Sequence, residues 1–469
     1  MNKQPESAFE TRPGIPPPLP VWKRHKTLLK MASLALLTLL LMIPLGLVDG
    51  VLNERMHRRN NATIEMASSW GGAQTVVGPV LTVPYKYRHM VRRETMVNGR
   101  LEWVEVEQTD VADAHFLPSS LRVEGTLDPS VLHRGIYEAV VYRGGLNVSG
   151  SFEAPVFAAW GVSPEDILWD SAYVSLSITD LRGAQEELLL TWGEKTLPLV
   201  PGTGLPGFTS GVRAVLAGVP RPGEKTDFSI KFSLNGSDGI RFAPLGARNE
   251  VNLTSPWPDP SFQGANLPIE RDVSADGFKA RWQASYYGRS YPQQWSSRDA
   301  SAFAQADVLR SSFGVDLIAV VDSYRHVERA IKYGVLFIVM VFAAFFLFEL
   351  LAGLQIHSFQ YTLVGAALCL FYLALLSLSE FLSFSVAYAA GATASTVMIA
   401  LYCARILRSG KRASIVAAEL GLIYGILFVI LRLQDYSLLF GTAGLFATLG
   451  IVMFATRNID WYARDEECA

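Results

Sequence analysis

Apolar and polar positions follow different rhythms in different parts of this chain, and each rhythm predicts its own element. Long uncharged runs dominate the two ends. A helix needs roughly 20 mostly apolar residues to cross the ~30 Å hydrocarbon core of a bilayer. Met31–Val48, Tyr361–Ser379, Phe381–Ala404 and Tyr436–Thr456 are runs of about that length. Tyr333–Phe348 extends past Glu349 to Leu354, and Ala413–Leu431 is interrupted only by Glu419. The pattern predicts a membrane protein with six transmembrane α-helices, one near the N-terminus and five packed into the last third.

Between these zones the rhythm changes to period two, the signature of half-buried strands. Val174, Leu176 and Ile178 alternate with Ser175, Ser177 and Thr179. Phe228, Ile230, Phe232 and Leu234 alternate with Ser229, Lys231 and Ser233, and Phe278, Trp282, Ala284 and Tyr286 with Lys279, Arg281, Gln283 and Ser285. Gly144-Gly145 and Asn235-Gly236 read as turns between strands. Asp49–Ser69 and Val321–Lys332 read as helical stalks that continue a span. The expected fold is therefore a large, mostly antiparallel β exported domain on a 1 + 5 helical anchor. The expected limits are a cytoplasmic basic tail at 1–27, a transmembrane signal anchor at 28–48 and a periplasmic β-rich domain at 49–330. A five-helix bundle at 331–456 and a cytoplasmic tail at 457–469 complete the chain. Leu197–Gly223, rich in Pro and Gly, marks a boundary between two β lobes.

Orientation follows from Lys and Arg in the short flanks. Lys3, Arg12, Lys23, Arg24, Lys26 and Lys30 precede the first span, Arg405, Arg408, Lys411 and Arg412 fill one short loop, and Arg457 and Arg464 follow the last span. The opposite short loops hold only Arg432, although Arg55, Arg58 and Arg59 follow the first span on the exported side. Both termini are expected in the cytoplasm of a bacterial cell, with the chain multi-pass in the inner membrane. The first span follows the basic run WKRHK, but no Ala-x-Ala site follows it, which favours an uncleaved anchor over a signal peptide.

Composition sharpens this picture. Half of the 469 residues are hydrophobic and 18% are charged, and mean hydropathy is +0.24, high for a soluble protein. A net charge of −2 gives no ground for a nucleic-acid partner. Cys369 and Cys403 fall in spans and Cys468 in the tail, so the exported part holds itself together without disulfides.

The search for chemistry finds no catalytic constellation, cofactor site or metal site. Gly202, Gly204 and Gly207 match G-x-G-x-x-G, but Pro201 and Pro206 make that stretch a loop without the strand and helix that a dinucleotide needs. Asp272–Gly277 and Asn235–Gly239 read as hairpin turns rather than calcium loops, because neither ends in the bidentate Glu. The seven histidines form no short metal motif, and there is no nucleophile elbow or P-loop. Polar residues near hydrocarbon carry more weight. Glu349, His357 and Gln360 gather toward one face, and Glu380, Arg432 and Asp435 toward the other, where Arg432 is expected to pair with Glu380 or Asp435. In the exported domain the proline-stiffened loop Ser255–Phe262 presents Trp257 and Phe262 as a candidate contact.

Long strings spread along the chain resemble one family. SWGGAQTVVGPVLTVPY (Ser69–Tyr85), RGIYEAVVY (Arg134–Tyr142), LNGSDGIRFAPLG (Leu234–Gly246), SPWPDPSFQGANLP (Ser255–Pro268) and GFKARWQ (Gly277–Gln283) lie in the β region. RAIKYGVLFI (Arg329–Ile338), SFQYTLVGAALCLFYLALLSLSEF (Ser358–Phe381), LRLQDYSLLFGT (Leu431–Thr442) and TRNIDWY (Thr456–Tyr462) lie in the membrane part. The sequence resembles the CreD family of bacterial inner-membrane, cell-envelope integrity proteins. It departs from the pattern at Ser358, where Pro is expected, and at Arg432-Leu433-Gln434. The resemblance implies a target of a two-component regulatory system linked to tolerance of envelope-acting toxins, and it brings no catalytic residues. Two readings follow. The first is a non-enzymatic protein that binds an envelope protein or cell-wall component while anchored in the lipid bilayer. The alternative is a transporter or membrane-embedded enzyme that uses the acidic residues of the bundle.

Overall fold

The computed structural model describes residues 26–97, 100–182, 187–216, 225–299, 301–317, 323–352, 356–407, 409–433 and 437–457. Asp435, Arg408, Cys468 and the two terminal tails lie outside them. The chain divides into two compact units, one formed by Arg58–Val321 and the other by the segments on either side of it. A helix α1 (Lys26–Trp70) is continuous across the first boundary.

The β unit contains β1 (Gln74–Val97), β2 (Arg100–Phe116), β3 (Ser120–Arg134), β4 (Tyr137–Glu153), β5 (Tyr173–Ile178) and β6 (Leu189–Trp192). There follow β7 (Lys195–Pro198), β8 (Val200–Pro201), β9 (Gly211–Val215), β10 (Lys225–Ser237), β11 (Gly239–Phe242) and β12 (Arg248–Ser255). The last are β13 (Pro260–Gly264), β14 (Glu270–Ser274), β15 (Gly277–Ser285), β16 (Gln294–Ser296) and, after a short helix α2 (Gln305–Arg310), β17 (Phe313–Leu317). One sheet runs β13-β17-β11-β1-β5-β9-β8, with β2 on β1 and β16 on β2. The other runs β14-β15-β12-β3-β4-β10-β6-β7. The sheets are mixed, because β1 pairs with β11 and β3 with β12 in parallel among otherwise antiparallel ladders. A single apolar cluster draws on both sheets, with Tyr85, Tyr142, Phe152, Trp282 and Phe313 fully buried.

Three sequence expectations change for physical reasons. Gly144-Gly145 and Asn235-Gly236 are not turns, since β4 and β10 run straight through them. At Gly236 the glycine serves as a gap in the side-chain layer: a Cβ there would lie 2.3 Å from the Tyr142 hydroxyl. The chain bends later, at Asp238, whose φ is 61°, and passes there from the second sheet to the first. β5 is buried on both faces rather than one, because the segment through Thr203 and Ser210 meets its serine face. Its serines are satisfied locally, Ser175 donating to the Thr203 carbonyl at 2.6 Å and Ser177 to that of Ser210 at 2.8 Å. Within the Pro/Gly-rich stretch the chain passes from one sheet to the other, β7 belonging to the second and β8 and β9 to the first.

The helical unit adds α3 (Ser323–Lys332), α4 (Gly334–Ala352), α5 (Ser358–Ser379), α6 (Phe384–Ile406), α7 (Gly410–Arg432) and α8 (Ser437–Thr456). Among the described residues, four helices are long and apolar enough to cross a membrane, and five if the bent pair α3/α4 is one span, so the expected six is corrected. The pair bends by 48° at Tyr333, where the amphipathic α3 gives way to the apolar α4. The last apolar stretch, Leu439–Phe454, falls among the helices too short to count.

The helix α1 buries Leu34, Leu41, Leu45, Val48 and Leu52 at helical spacing, while Leu36, Leu40, Ile43 and Leu47 point away and are exposed. Its buried stripe runs along α5 in the same direction. The Ser33 and Ser358 hydroxyls lie 3.4 Å apart, Cys369 donates to the Leu41 carbonyl at 3.8 Å, and Arg55 lies 3.6 Å from Glu380. The first two contacts join residues 325 and 328 positions apart, so a nearly constant offset holds the two helices in parallel register.

Candidate functional site

Each end of this α1/α5 pair carries a charge cluster. At the first end the carboxylate of Glu349, 7% exposed near the end of α4, forms an ion pair with Lys30 of α1. Tyr361 donates its hydroxyl to the other carboxylate oxygen at 2.8 Å, and the Ile356 amide donates at 3.1 Å. Lys30 also donates to the Ile356 carbonyl at 2.8 Å and lies 5.7 Å from the centre of the Tyr361 ring. Glu349 is thus neutralised and hydrogen-bonded by three elements, which is what a buried carboxylate requires. His357 stays out of this cluster. It caps α5, accepting from the Phe359 amide at 3.2 Å while Gln360 accepts from the His357 amide at 3.2 Å.

At the other end Glu380 closes α5 and faces Arg55, and Tyr324 of α3 donates to it at 3.2 Å. Arg432, expected beside Glu380 or Asp435, lies over the Phe428 ring at 5.7 Å. Asp435 lies outside the described residues. The predicted acids therefore sit in separate clusters at opposite ends of the bundle, and each cluster clamps helices together. In the sequence Lys30 and Arg55 stand only as charges flanking the first span, and nothing there marks Tyr361 or Tyr324. No local pattern signals a pair 319 positions apart.

In the β unit, Phe262 is part of β13, and its ring packs edge-on against Phe278 and Trp282 at 5.8 and 5.6 Å. Trp257 is half-buried against the same core. The second sheet of this unit presents a polar face. Cross-strand rungs read Ser285, Arg248, Ser120, Ser151, Asp227, then Gln283, Glu250, Arg122, Ser149, Ser229, then Arg281, Asn252, Glu124, Asn147, Lys231. Every position is polar, while the rung behind them is Trp282, Val251, Val123, Val148 and Ile230. A groove of about 760 Å³ opens over the first two rungs. Glu250 sits at its centre, 3.0 Å from Arg281 and 3.5 Å from Arg122. Side-chain hydroxyls, amides, carboxylates and guanidinium groups thus line one concave surface. Among the described residues no group of three or more His, Cys, Asp or Glu is placed to hold a metal ion.

Comparison with known proteins bears on the whole chain. The family model described as "Inner membrane protein CreD" matches residues 26–462. The inner membrane protein CreD of Escherichia coli K12 is 32% identical over 435 residues, covering 92% of this chain and 93% of that protein. Among solved structures, two of an M1 zinc metallopeptidase from Deinococcus radiodurans align with TM-scores of 0.21 and 0.19 at 10% identity. They cover 38% and 36% of this chain and 40% and 38% of theirs, a likeness too slight to transfer fold or activity.

Proposed function

The chain belongs to the CreD family of inner membrane proteins, and from that premise we propose that it supports the cell envelope by binding, without turning over a substrate. On this reading the N-terminal tail and the α6–α7 loop face the cytoplasm, the β unit is exported, and the helical unit is its anchor. The observation that carries the reading is the polar groove of the second sheet. Its volume falls within the ~300–1,000 Å³ usual for ligand sites. Its lining offers paired donors and acceptors suited to a polymer rich in hydroxyl and amide groups, the chemistry of cell-wall material. The helical acids support the same reading, because Glu349 and Glu380 are each engaged by a cation and a tyrosine.

The test is made in a strain lacking its own copy, complemented with full-length variants at equal membrane levels. Arg248→Ala with Gln283→Ala alters two groove side chains at strand positions without touching the core. This double variant should lose tolerance of envelope-acting agents. Glu349→Gln and Glu380→Gln, singly, should keep most of it. The reverse result, with groove variants normal and Gln variants inactive, would replace binding by transport or membrane-embedded catalysis.

A further inference from the structure

Beyond Tyr85 the strands β1 and β2 leave the body of their sheet. Their ladder continues from Arg88↔Thr109 to Val97↔Arg100, and among the described residues neither strand has another ladder partner there. The result is a two-stranded arm with both edges open. An isolated two-stranded ribbon is at best marginally stable in water, and open edges are templates for further strands. This arm also exposes Trp103 and Leu101, 68% and 66% accessible, on a surface that a free ribbon would leave to water.

The charges on the arm are segregated by strand. β1 carries Arg88, Arg92 and Arg93 against the single Glu94, whereas β2 carries Glu102, Glu105 and Glu107 against the single Arg100. Within one arm Arg92 already meets Glu105 at 3.2 Å. One open edge is therefore basic and the other acidic.

We infer that the arm is an assembly element, in which the basic β1 edge of one copy pairs with the acidic β2 edge of the next. Head-to-tail pairing lays successive arms side by side in the same sense. Under that constraint β2 runs antiparallel to the neighbour's β1, and cation and anion alternate across the shared sheet. Two-fold pairing of like edges would instead set Arg92 beside its own copy, or Glu105 beside its own, which like-charge repulsion disfavours. Head-to-tail pairing leaves one edge open at each step, so it continues to a ring or an open array rather than stopping at a dimer.

The experiment uses the full chain in membranes, with Cys369, Cys403 and Cys468 changed to Ala and one new cysteine per chain. Arg92 and Glu105 are exposed, so Arg92→Cys and Glu105→Cys leave the fold intact. With a short bismaleimide, co-expressed Arg92→Cys and Glu105→Cys chains should cross-link to twice the monomer mass. Neither variant expressed alone should do so. Self-cross-linking of a single variant would establish two-fold pairing and overturn the proposal. A band that is no multiple of the chain would place another protein on the arm, and no band at all would leave the arm unpaired. Either of these results also overturns it.

Discussion

Glu349 illustrates how a single side chain governs its neighbourhood. Its carboxylate is met by Lys30, Tyr361 and the Ile356 amide, so removing it leaves an ammonium group with only a carbonyl and a ring. Glu349→Ala should cost about 3 kcal/mol, near the lower end for breaking a buried pair because Lys30 retains 22% exposure. Adding Lys30→Met should recover much of that loss. Both effects are read as shifts in melting temperature in detergent, and a single variant as stable as the parent would refute the clamp. His115 makes a second case in the β unit. It is buried, its Nδ1 lies 2.9 Å from the Thr82 hydroxyl, and its ring stacks on Trp295 at 4.8 Å. Burial lowers its pKa to about 4 from an ordinary 6.5. Above pH 6.5 the ring is neutral in folded and unfolded chains alike, and its contribution is complete. Between 6.5 and 4 the unfolded chain takes up a proton that the folded chain refuses, so stability falls with pH by about 3 kcal/mol over the window. His115→Asn, which keeps a partner for Thr82, should flatten the dependence of melting temperature on pH there. Equal slopes would sink the assignment. Neither site was legible in the sequence, because Lys30 and Glu349, or Thr82 and His115, meet only through tertiary packing. What the sequence did mark was the cost of Glu349 beside an apolar run, which identified the residue but not its partner.

At the scale of elements, alternation located strands well wherever one face is polar. β10 and β15 appear where Phe228–Leu234 and Phe278–Trp282 predict them. Glycine misled, because a glycine that makes room for a neighbour looks like a glycine that turns the chain. Gly236 shows the difference. The Tyr142 ring beside it is fully buried, and its hydroxyl donates to the Gly239 carbonyl at 2.9 Å, so it has little freedom to yield. Gly236→Ala should therefore destabilise the β unit by about 1–3 kcal/mol, as overpacking does. Gly145→Ala, whose added Cβ would meet nothing within 4 Å, is the matched control on the adjoining strand. Fluorescence-detected melting of the two purified variants compares them, and equal melting temperatures would contradict the close approach. Apolar runs likewise gave the helices but overstated the spans, since run length ignores the bend between α3 and α4.

For the whole molecule, the proposed orientation puts the basic segments before α1 and between α6 and α7 on one side of the membrane, a geometry the parallel α1 and α5 accommodate. With native cysteines replaced, Tyr287→Cys in the β unit should react with a membrane-impermeant maleimide in spheroplasts. Lys411→Cys should react only after permeabilisation, and the opposite pattern would invert the chain. The register of α1 against α5 also has a consequence in time. The ribosome makes Lys30 first and reaches Glu349 only 319 residues later. At ~5–20 residues per second that interval is roughly 15–65 s. Throughout it the first helix sits in the bilayer without the helices that will cover its leucine stripe, while the β region is still being synthesised. Assembly of the anchor is therefore paced by translation of the domain it carries, and a stalled ribosome anywhere in that interval strands a lone hydrophobic helix in the membrane.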